Sequence, residues 1–226
     1  MAAATLANLK FSLVLVLILL VASVSSFAKV PPTCKRIECP SYDVIHIGDG
    51  YEIRHYNFTF WASVYPFQDI SFAKATKAAF TRLFDYIQGK NDKKEKIEMT
   101  APVVTEVAPI NETLYESLFV VSFYVPKKNQ ADPPLAKDLV VGRSNPVYAA
   151  VRQFSGFVRD SNVGEEVAAL KASIAGTKWS SVIEKSHRGG YGSVYCVAQY
   201  NAPFEYDDRV NEIWFLFDME NGRHST

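Results

Sequence analysis

The order of secondary-structure patterns, repeated once along the chain, is the feature that most constrains the fold. Between residues 42 and 66 polar and apolar residues alternate around a Gly-Asp-Gly turn, which is typical of strands. A helical pattern follows from Asp69 to Gly89, and two further strand-like stretches come after it. The same strand–helix–strand–strand order recurs between residues 147 and 219. We therefore predict two copies of one unit, related by a pseudo-twofold axis.

Both helical segments carry one apolar stripe and recognisable ends. Asp69 or Ser71 can cap the start of the first helix, and Gly89 ends it. The second helix is predicted over residues 163 to 176 and ends at Gly176. The stripe positions are Phe72, Thr76, Ala79, Leu83, Tyr86 and Ile87 in the first helix, and Val163, Val167, Leu170 and Ile174 in the second. Because each helix needs a sheet face to cover, we predict an α+β domain with a curved antiparallel sheet and two helices.

The stretch "KIEMTAPVVTEV", residues 96 to 107, is predicted to be a strand with a bend in its middle. Pro102 lacks a backbone donor, so the Ala101–Pro102 corner fits a bend or an edge better than a central strand. A similar sequence, "NAPF", occupies residues 201 to 204. We interpret "TAPV" at residues 100 to 103 and "NAPF" as two symmetry-related corners.

The first 28 residues are typical of a secretory signal peptide. Lys10 is their only charged residue, an apolar run follows it, and small residues stand at Ser26 and Ala28. A retained signal anchor is the alternative, although the run is short for a membrane span. No later segment is apolar for long enough to cross a membrane. We expect a Pro-rich arm over residues 29 to 41, a folded domain over residues 42 to 220, and a secreted, endomembrane or vacuolar location.

The cysteines and glycosylation sequons agree with this route. In an oxidising compartment Cys34 and Cys39 could close a small loop in the arm, while a zinc site is poorly supported because no second ligand pair follows. Cys196 is interpreted as a buried apolar thiol. Sequons at Asn57 and Asn111 predict a glycoprotein.

Charge and motifs argue against two classes of function, nucleic-acid binding and catalysis. With 24 Lys and Arg against 24 Asp and Glu, the chain lacks the excess of positive charge that binding to nucleic acid requires. The sequence contains none of the common catalytic or nucleotide-binding motifs, and its four histidines are scattered. We therefore expect a binding protein rather than an enzyme.

One flank of the first helix is a candidate ligand wall. Ala73, Lys77, Phe80 and Phe84 lie beside the core stripe rather than in it. Two large aromatic side chains with a lysine along one edge suit a flat apolar ligand that carries carboxylates. The alternative is that both phenylalanine rings only widen the contact with the core.

Several motifs in register then resemble the SOUL/haem-binding-protein family: "YEIRHY", "FDYIQGKND", "KIEMTAPV", "SFYVP", "YNAPF" and "RVNEIWF". The resemblance covers roughly residues 40 to 218, and the signal peptide and "PPTCKRIECP" arm are similar to the secreted plant branch. It implies a distorted β-barrel or curved sheet with two helices, built from two related halves. It also implies non-covalent binding of haem or another tetrapyrrole in a hydrophobic cleft beside the first helix.

The resemblance places Lys77, Phe80, Phe84 and Asp85 at the helix positions associated with that cleft. Asp85 and Glu205 depart from the family pattern, because haem-binding animal relatives tend to carry basic residues there. These two carboxylates would repel the haem propionates, which leaves Lys77 as the main cationic partner.

"YEIRHY" places His55 where the SOUL branch of the family has a proposed iron ligand, on the same strand face as Tyr51 and Ile53. The alternative is a hydrogen-bonded structural histidine. The sequence thus predicts a monomeric tetrapyrrole carrier or buffer without catalysis, without a nucleic-acid partner and without a stable membrane span. A module that binds another amphipathic small molecule or a peptide in the same cleft is the alternative.

Overall fold

The structure, a computed structural model, describes residues 30–109, 116–188 and 195–219. The predicted signal peptide and the sequon at Asn111 lie outside these residues. The arrangement is α+β, as predicted, and the described chain contains ten strands and three α-helices, one helix more than the two predicted. In chain order they are β1 (Tyr42–Gly48), β2 (Tyr51–Tyr56), β3 (Phe60–Val64), β4 (Phe67–Asp69), α1 (Phe72–Ile87), β5 (Val103–Pro109), β6 (Ser117–Tyr124), β7 (Leu139–Arg143), β8 (Val147–Ser155), α2 (Asp160–Ile174), α3 (Lys178–Arg188), β9 (Tyr195–Gln199) and β10 (Val210–Phe217).

The strands form one antiparallel sheet whose order confirms the internal duplication. The order is β1-β2-β8-β10-β9-β5-β6-β3-β7, and β4 pairs with β6 off this path. From the central pair β9 and β5, the sheet continues outward through β10, β8 and β2 on one side and β6, β3 and β7 on the other. Each half therefore lends its first strand to the other half, since β2 pairs with β8 and β7 pairs with β3.

The helices cover one face of the sheet. Helix α1 packs on β3, β4 and β6, while α2 and α3 pack on β2, β8 and β10. Two cores lie between the helices and the sheet. The core under α1 contains Ala62, Ala79, Leu83, Ile87, Val121 and Phe123. The core under α2 and α3 contains Ile53, Ala150, Leu170, Ile174, Trp179 and Ile213. Because alternate residues of a strand point to opposite faces, the other set of side chains meets in a third core that contains Tyr56, Tyr200 and Trp214.

The ends of α1 follow the prediction. The Ser71 hydroxyl accepts a hydrogen bond from the Lys74 N–H at 3.2 Å, which satisfies one of the free donors of the first turn. Gly89 follows the helix with φ +107, a conformation that suits glycine. Helix α2 begins earlier than predicted, at Asp160, and helix α3 was left unassigned by the sequence analysis. Its buried Trp179 and Ile183, one turn apart, anchor it on the sheet.

The structure corrects the prediction for residues 96 to 107. The strand begins only at Val103, and the preceding residues are irregular, with a cis peptide between Ala101 and Pro102. "TAPV" therefore precedes β5, whereas "NAPF" follows β9. Since β5 and β9 are antiparallel and Val103 lies opposite Gln199, both corners lie at the same end of this pair. A twofold axis between the strands would place equivalent corners at opposite ends, so our interpretation of symmetry-related corners is wrong.

The N-terminal arm lies against the sheet and contains the predicted disulfide. Cys34 and Cys39 are bonded, and both pack against the third core. The Glu38 carbonyl accepts a hydrogen bond from the Ala101 N–H at 3.0 Å, which ties the arm to the segment before β5. Cys196 is a free and buried thiol, as expected. Among the described residues, no helix has the length and apolar character needed to cross a membrane.

Candidate functional site

The predicted wall on α1 is a stacked pair of phenylalanine rings. The Phe80 and Phe84 ring centroids are 5.8 Å apart with an interplanar angle of 16°. Phe80 also meets Phe123 of β6 edge-on, at 5.3 Å between centroids. Phe84 remains 43% exposed. Phe80 thus contributes to the core under α1, as the alternative held, while Phe84 extends its ring system to the surface.

The polar positions of this flank are open to solvent. Lys77 and Ala73 are exposed. They lie about one and two helical turns before Phe80. Within the described residues Lys77 takes part in no ion pair, so its ammonium group is accessible to an anion. The Ala73 N–H donates to the Asp160 carboxylate at 3.2 Å, which links the start of α1 to the start of α2.

Both carboxylates that depart from the family pattern have a cationic partner. Asp85 accepts a hydrogen bond from Lys90 at 2.6 Å, and Glu205 accepts one from Arg36 at 2.7 Å. The hydrogen bond from Arg36, with a second from the Ala202 N–H, lowers the pKa of Glu205 below its ordinary value. Each carboxylate therefore has a cationic partner beside it, which weakens the repulsion of a ligand carboxylate that the sequence alone predicted.

His55 lies elsewhere on the same face of the sheet. It is half-buried on β2, and its ring centroid is 4.6 Å from that of Tyr148 on β8. In the strand order of the sheet, β2 is five positions from β6, which lies under α1. The ring partner of His55 is Tyr148, whereas Phe80 is in ring contact with Phe84 and Phe123. In the described part of the chain, no three metal-binding side chains lie close enough to hold an ion.

The opposite face of the sheet contains a cavity of about 300 Å³. Its walls come from β2, β3, β5, β6, β7, β8 and β10, so the sheet curls around it. The lining is mainly aromatic and aliphatic, with one carboxylate and one guanidinium group. Its principal residues are Tyr56, Trp61, Val104, Glu106, Val140, Arg143, Val147, Trp214 and Leu216.

A buried ionic cluster supports one wall of this cavity. The Arg54 guanidinium donates to both Glu212 oxygens, at 3.1 and 3.0 Å, and to Glu52 at 2.9 Å. Arg54 and Glu212 are fully buried. The Glu212 carboxylate accepts three further hydrogen bonds, from Gln153 at 2.9 Å, Tyr200 at 2.8 Å and Trp214 at 2.7 Å.

The electrostatics of the cluster follow from its burial. Burial, the largest single influence, would lower the pKa of Arg54, but Glu212 and the neighbouring tyrosines together outweigh it and hold that pKa above its ordinary value. Burial likewise raises the pKa of the Tyr56 and Tyr200 hydroxyls, which stay neutral donors and acceptors. One guanidinium therefore faces two carboxylates, and the hydroxyl, indole and amide donors disperse the excess negative charge.

A comparison with known protein families matches residues 37–216 to the family described as SOUL heme-binding protein. The matched segment is most of the chain. The chain belongs to the SOUL family. Its assignment to a secreted plant branch stays a prediction.

Three animal relatives agree with this membership of the SOUL family. The chain is 34% identical over 169 residues to heme-binding protein 2 of Homo sapiens, covering 74% of this chain and 78% of the relative. It is 31% identical over 188 residues to heme-binding protein 2 of Mus musculus, covering 80% of this chain and 87% of the relative. With heme-binding protein 1 of Xenopus laevis the identity is 28% over 148 residues, covering 64% of this chain and 72% of the relative.

The matched SOUL segment contains both surfaces described above, the α1 flank and the cavity on the opposite face. Sequence reasoning found the first of them and missed the second. The signal was present, because Glu52 and Arg54 alternate with apolar residues in "YEIRHY", and Glu212 lies inside the apolar strand "NEIWFLF". A strand with both faces buried needs partners for such charges, and only the sheet order identifies them.

Proposed function

We propose that this SOUL domain binds haem or a related tetrapyrrole non-covalently on the α1 flank, as a carrier or buffer without catalysis. The observation that carries the proposal is the exposed, stacked ring system of Phe80 and Phe84 beside the accessible ammonium group of Lys77. Membership in the SOUL family and relatives named heme-binding proteins support the choice of ligand.

The shape of the wall suits a planar macrocycle. Phe80 is fixed from below by Phe123, and Phe84 is nearly parallel to Phe80. A porphyrin plane against these rings would bury the exposed part of Phe84 and gain offset stacking. The apolar contact favours the macrocycle regardless of whether iron is bound.

Charge at the edge of the wall suits the propionates. Lys77 supplies a positive charge without an ion-pair partner among the described residues. Asp85 lies on the same flank, but its charge is compensated by Lys90. A ligand with two carboxylates therefore meets one free cation and one neutralised pair, rather than a net negative surface.

Non-covalent attachment follows from the cysteines. The chain has three, of which two form the Cys34–Cys39 disulfide and Cys196 is buried. Burial, with a smaller contribution from Glu106, raises the pKa of the Cys196 thiol well above its ordinary value. No thiol is therefore placed to form a thioether bond on the α1 flank.

We also propose that the chain follows the secretory pathway to a secreted or endomembrane location. The disulfide in the arm is typical of an oxidising compartment. Asn57 is exposed between β2 and β3 in its "NFT" sequon, so a glycan attached there is compatible with the fold. A monomer is the expected state.

The second candidate is a module that binds another amphipathic small molecule or a peptide on the same wall. The exposure of Phe84 favours it, because an open aromatic surface does not select the macrocycle by enclosure. Both candidates use Phe84, so they are separated by the ligand and not by the site.

Titration of the purified protein with hemin tests the first candidate. We expect the Soret band to shift and to saturate near one equivalent. Phe84→Ala should weaken binding, and Lys77→Glu should weaken binding of hemin and of iron-free protoporphyrin alike, because Lys77 acts on the propionates. Arg82→Glu, a charge reversal at an exposed position on the other side of α1, is the matched control.

Three outcomes decide the matter. A flat or unsaturable response in the wild type would exclude haem and leave the second candidate. Equal affinity for Lys77→Glu and the wild type would remove Lys77 from the site. We expect His55→Ala to leave the hemin spectrum unchanged, because the ring partner of His55 is Tyr148 rather than a residue of the wall; an altered spectrum would place the iron at His55 and overturn the α1 site.

A further inference from the structure

We propose that the cavity on the face of the sheet opposite the helices is a second ligand site, and that it takes a compact, flat organic cation. Small-molecule sites typically enclose about 300–1,000 Å³, and this cavity of about 300 Å³ lies at the lower end of that range. Its size suits a single aromatic ring with a small cationic group rather than a macrocycle. The site is separate from the α1 flank, because the sheet lies between them.

The aromatic walls of the cavity are held in place by the protein. The Trp61 indole N–H donates to the Thr59 hydroxyl at 2.8 Å, and the Trp214 indole N–H donates to Glu212 at 2.7 Å. The Tyr56 ring lies 5.2 Å from that of Trp214. Since both indole donors are used within the protein, Trp61 and Trp214 offer a ligand their apolar and π surfaces.

The cavity lining contains one carboxylate and one guanidinium group. Glu106, on the central strand β5, is the carboxylate. Arg143 is the cation, but it is exposed, and its guanidinium carbon lies 4.0 Å from the centre of the Phe58 ring. The Arg143 guanidinium is thus engaged by Phe58.

The buried cluster behind the wall adds negative charge. Glu52 and Glu212 outnumber Arg54 there, and Trp214 and Tyr56 lie between this cluster and the cavity as part of its lining. Aromatic faces attract cations through the ring quadrupole, and the attraction increases when the cation leaves water. The aromatic walls and the excess of carboxylates over guanidinium groups in the cluster behind them together favour an organic cation over a neutral or anionic ligand.

Indole NMR signals of the purified protein test this site directly. The chain has three tryptophans, of which Trp61 and Trp214 line the cavity and Trp179 is buried in the core under α2 and α3. The probes are benzyltrimethylammonium, benzyl alcohol and phenylacetate, which share one ring and differ in charge. We expect millimolar benzyltrimethylammonium to shift the Trp61 and Trp214 signals and to leave Trp179 unchanged, with weaker shifts from the other two probes.

Two variants test the charge argument. Glu106→Gln keeps the side-chain shape and should weaken binding of the cation about tenfold, with little effect on benzyl alcohol. Should Glu106→Gln disturb the fold, Val140→Lys provides the same test from an exposed position in the cavity wall, where a new positive charge should repel the cation. Arg82→Glu on α1 is the control and should leave binding of the cation unchanged.

The outcomes are decisive in both directions. If no probe shifts Trp61 and Trp214, the cavity is not a ligand site. If phenylacetate binds more tightly than benzyltrimethylammonium, the cation assignment is overturned. Equal shifts of all three indole signals would indicate non-specific binding and would also overturn the proposal. Hemin binding on α1 is measured independently, so failure of either site leaves the other untouched.

Discussion

The Lys90 ammonium group donates a hydrogen bond to the Asp85 carboxylate at 2.6 Å, at the end of the helix that carries the proposed tetrapyrrole wall. The sequence had presented Asp85 as a charge that repels propionates. The ion pair changes that expectation, because Lys90, five residues after Asp85, supplies a compensating positive charge. Both side chains are partly exposed, so the compensation is screened by solvent and modest in energy.

Removing Lys90 should expose this charge to the ligand. We expect Lys90→Met to weaken hemin binding by up to about fivefold, since exposed ion pairs contribute about 0.2–1 kcal/mol. Asp85→Asn in the same background should restore the affinity. Soret titrations at low and high salt measure both effects, and the loss should shrink at high salt. Unchanged affinity in Lys90→Met at low salt would contradict the proposed position of the ligand.

Arg54 should be among the most sensitive positions of the domain. Arg54→Met leaves the buried Glu52 and Glu212 carboxylates without their cation, and breaking a buried pair in this way costs about 3–5 kcal/mol. The free energy of unfolding from urea denaturation measures the loss. Arg36→Met, which removes the exposed partner of Glu205, is the matched control and should cost less than about 1 kcal/mol. Similar losses in the two variants would contradict the role of burial.

Buried tyrosines should make the fold sensitive to alkaline pH. Burial, with Asp92 and Glu95, raises the pKa of Tyr86 to about 12, and burial with Glu38 raises that of Tyr124 to about 12. The ordinary tyrosine pKa is about 10. Between these values the unfolded chain has lost protons that the folded chain keeps, so this contribution to stability is complete below pH 10 and is lost as the pH rises through 12.

Urea denaturation between pH 9 and pH 12, with tyrosinate absorbance as a second signal, tests this expectation. Tyr86→Phe should reduce the steepness of the loss, although it also removes the hydrogen bond from the Tyr86 hydroxyl to the Pro134 carbonyl at 2.8 Å. Tyr65→Phe, at an exposed side chain, is the matched control. Ionisation of every tyrosine before unfolding begins would contradict the prediction.

The disulfide should stabilise the arm and its contact with the sheet. The cross-link joins residues five apart, and closing so short a loop removes about 2 kcal/mol of unfolded-chain entropy. We expect the double variant Cys34→Ser with Cys39→Ser to lose about this much stability. Hydrogen exchange should accelerate at the Ala101 and Lys127 amides, which donate to Glu38.

Reduction of the wild-type protein provides the control for this prediction. Cys34–Cys39 is the disulfide of the described chain and the third cysteine is free, so a reductant should reproduce the loss seen in the double variant. Slow exchange at Ala101 after reduction would show that the Glu38 contact holds the arm without the cross-link.

Helices and strands whose apolar residues recur at a regular spacing could be predicted from the sequence. The stripe from Phe72 to Ile87 gave α1 almost to its ends, because a 3.6-residue period states which side of a helix is buried. Alternation likewise identified β2 as a strand. Helix α3 was missed although Trp179, Val182 and Ile183 stand at helical spacing and pack together on the sheet.

The candidate site was predictable only in part. The flank of Phe80 and Phe84 could be found because both residues lie on one helix. The cavity could not, since Trp61, Glu106 and Trp214 come from three strands that are distant in sequence. Its lining depends on strand order and register, which local patterns do not contain.

The sequence by itself determined the strand and helix types, the duplication, and the residues on each face of α1, because these depend on residues a few positions apart. The tertiary structure decided which charges meet. It paired Glu205 with Arg36 across 169 positions and Glu212 with Arg54 across 158, and it placed His55 against Tyr148 of β8. The physical reason is that a charge needs its partner in space, and the curl and order of the sheet, not the spacing along the chain, set that distance.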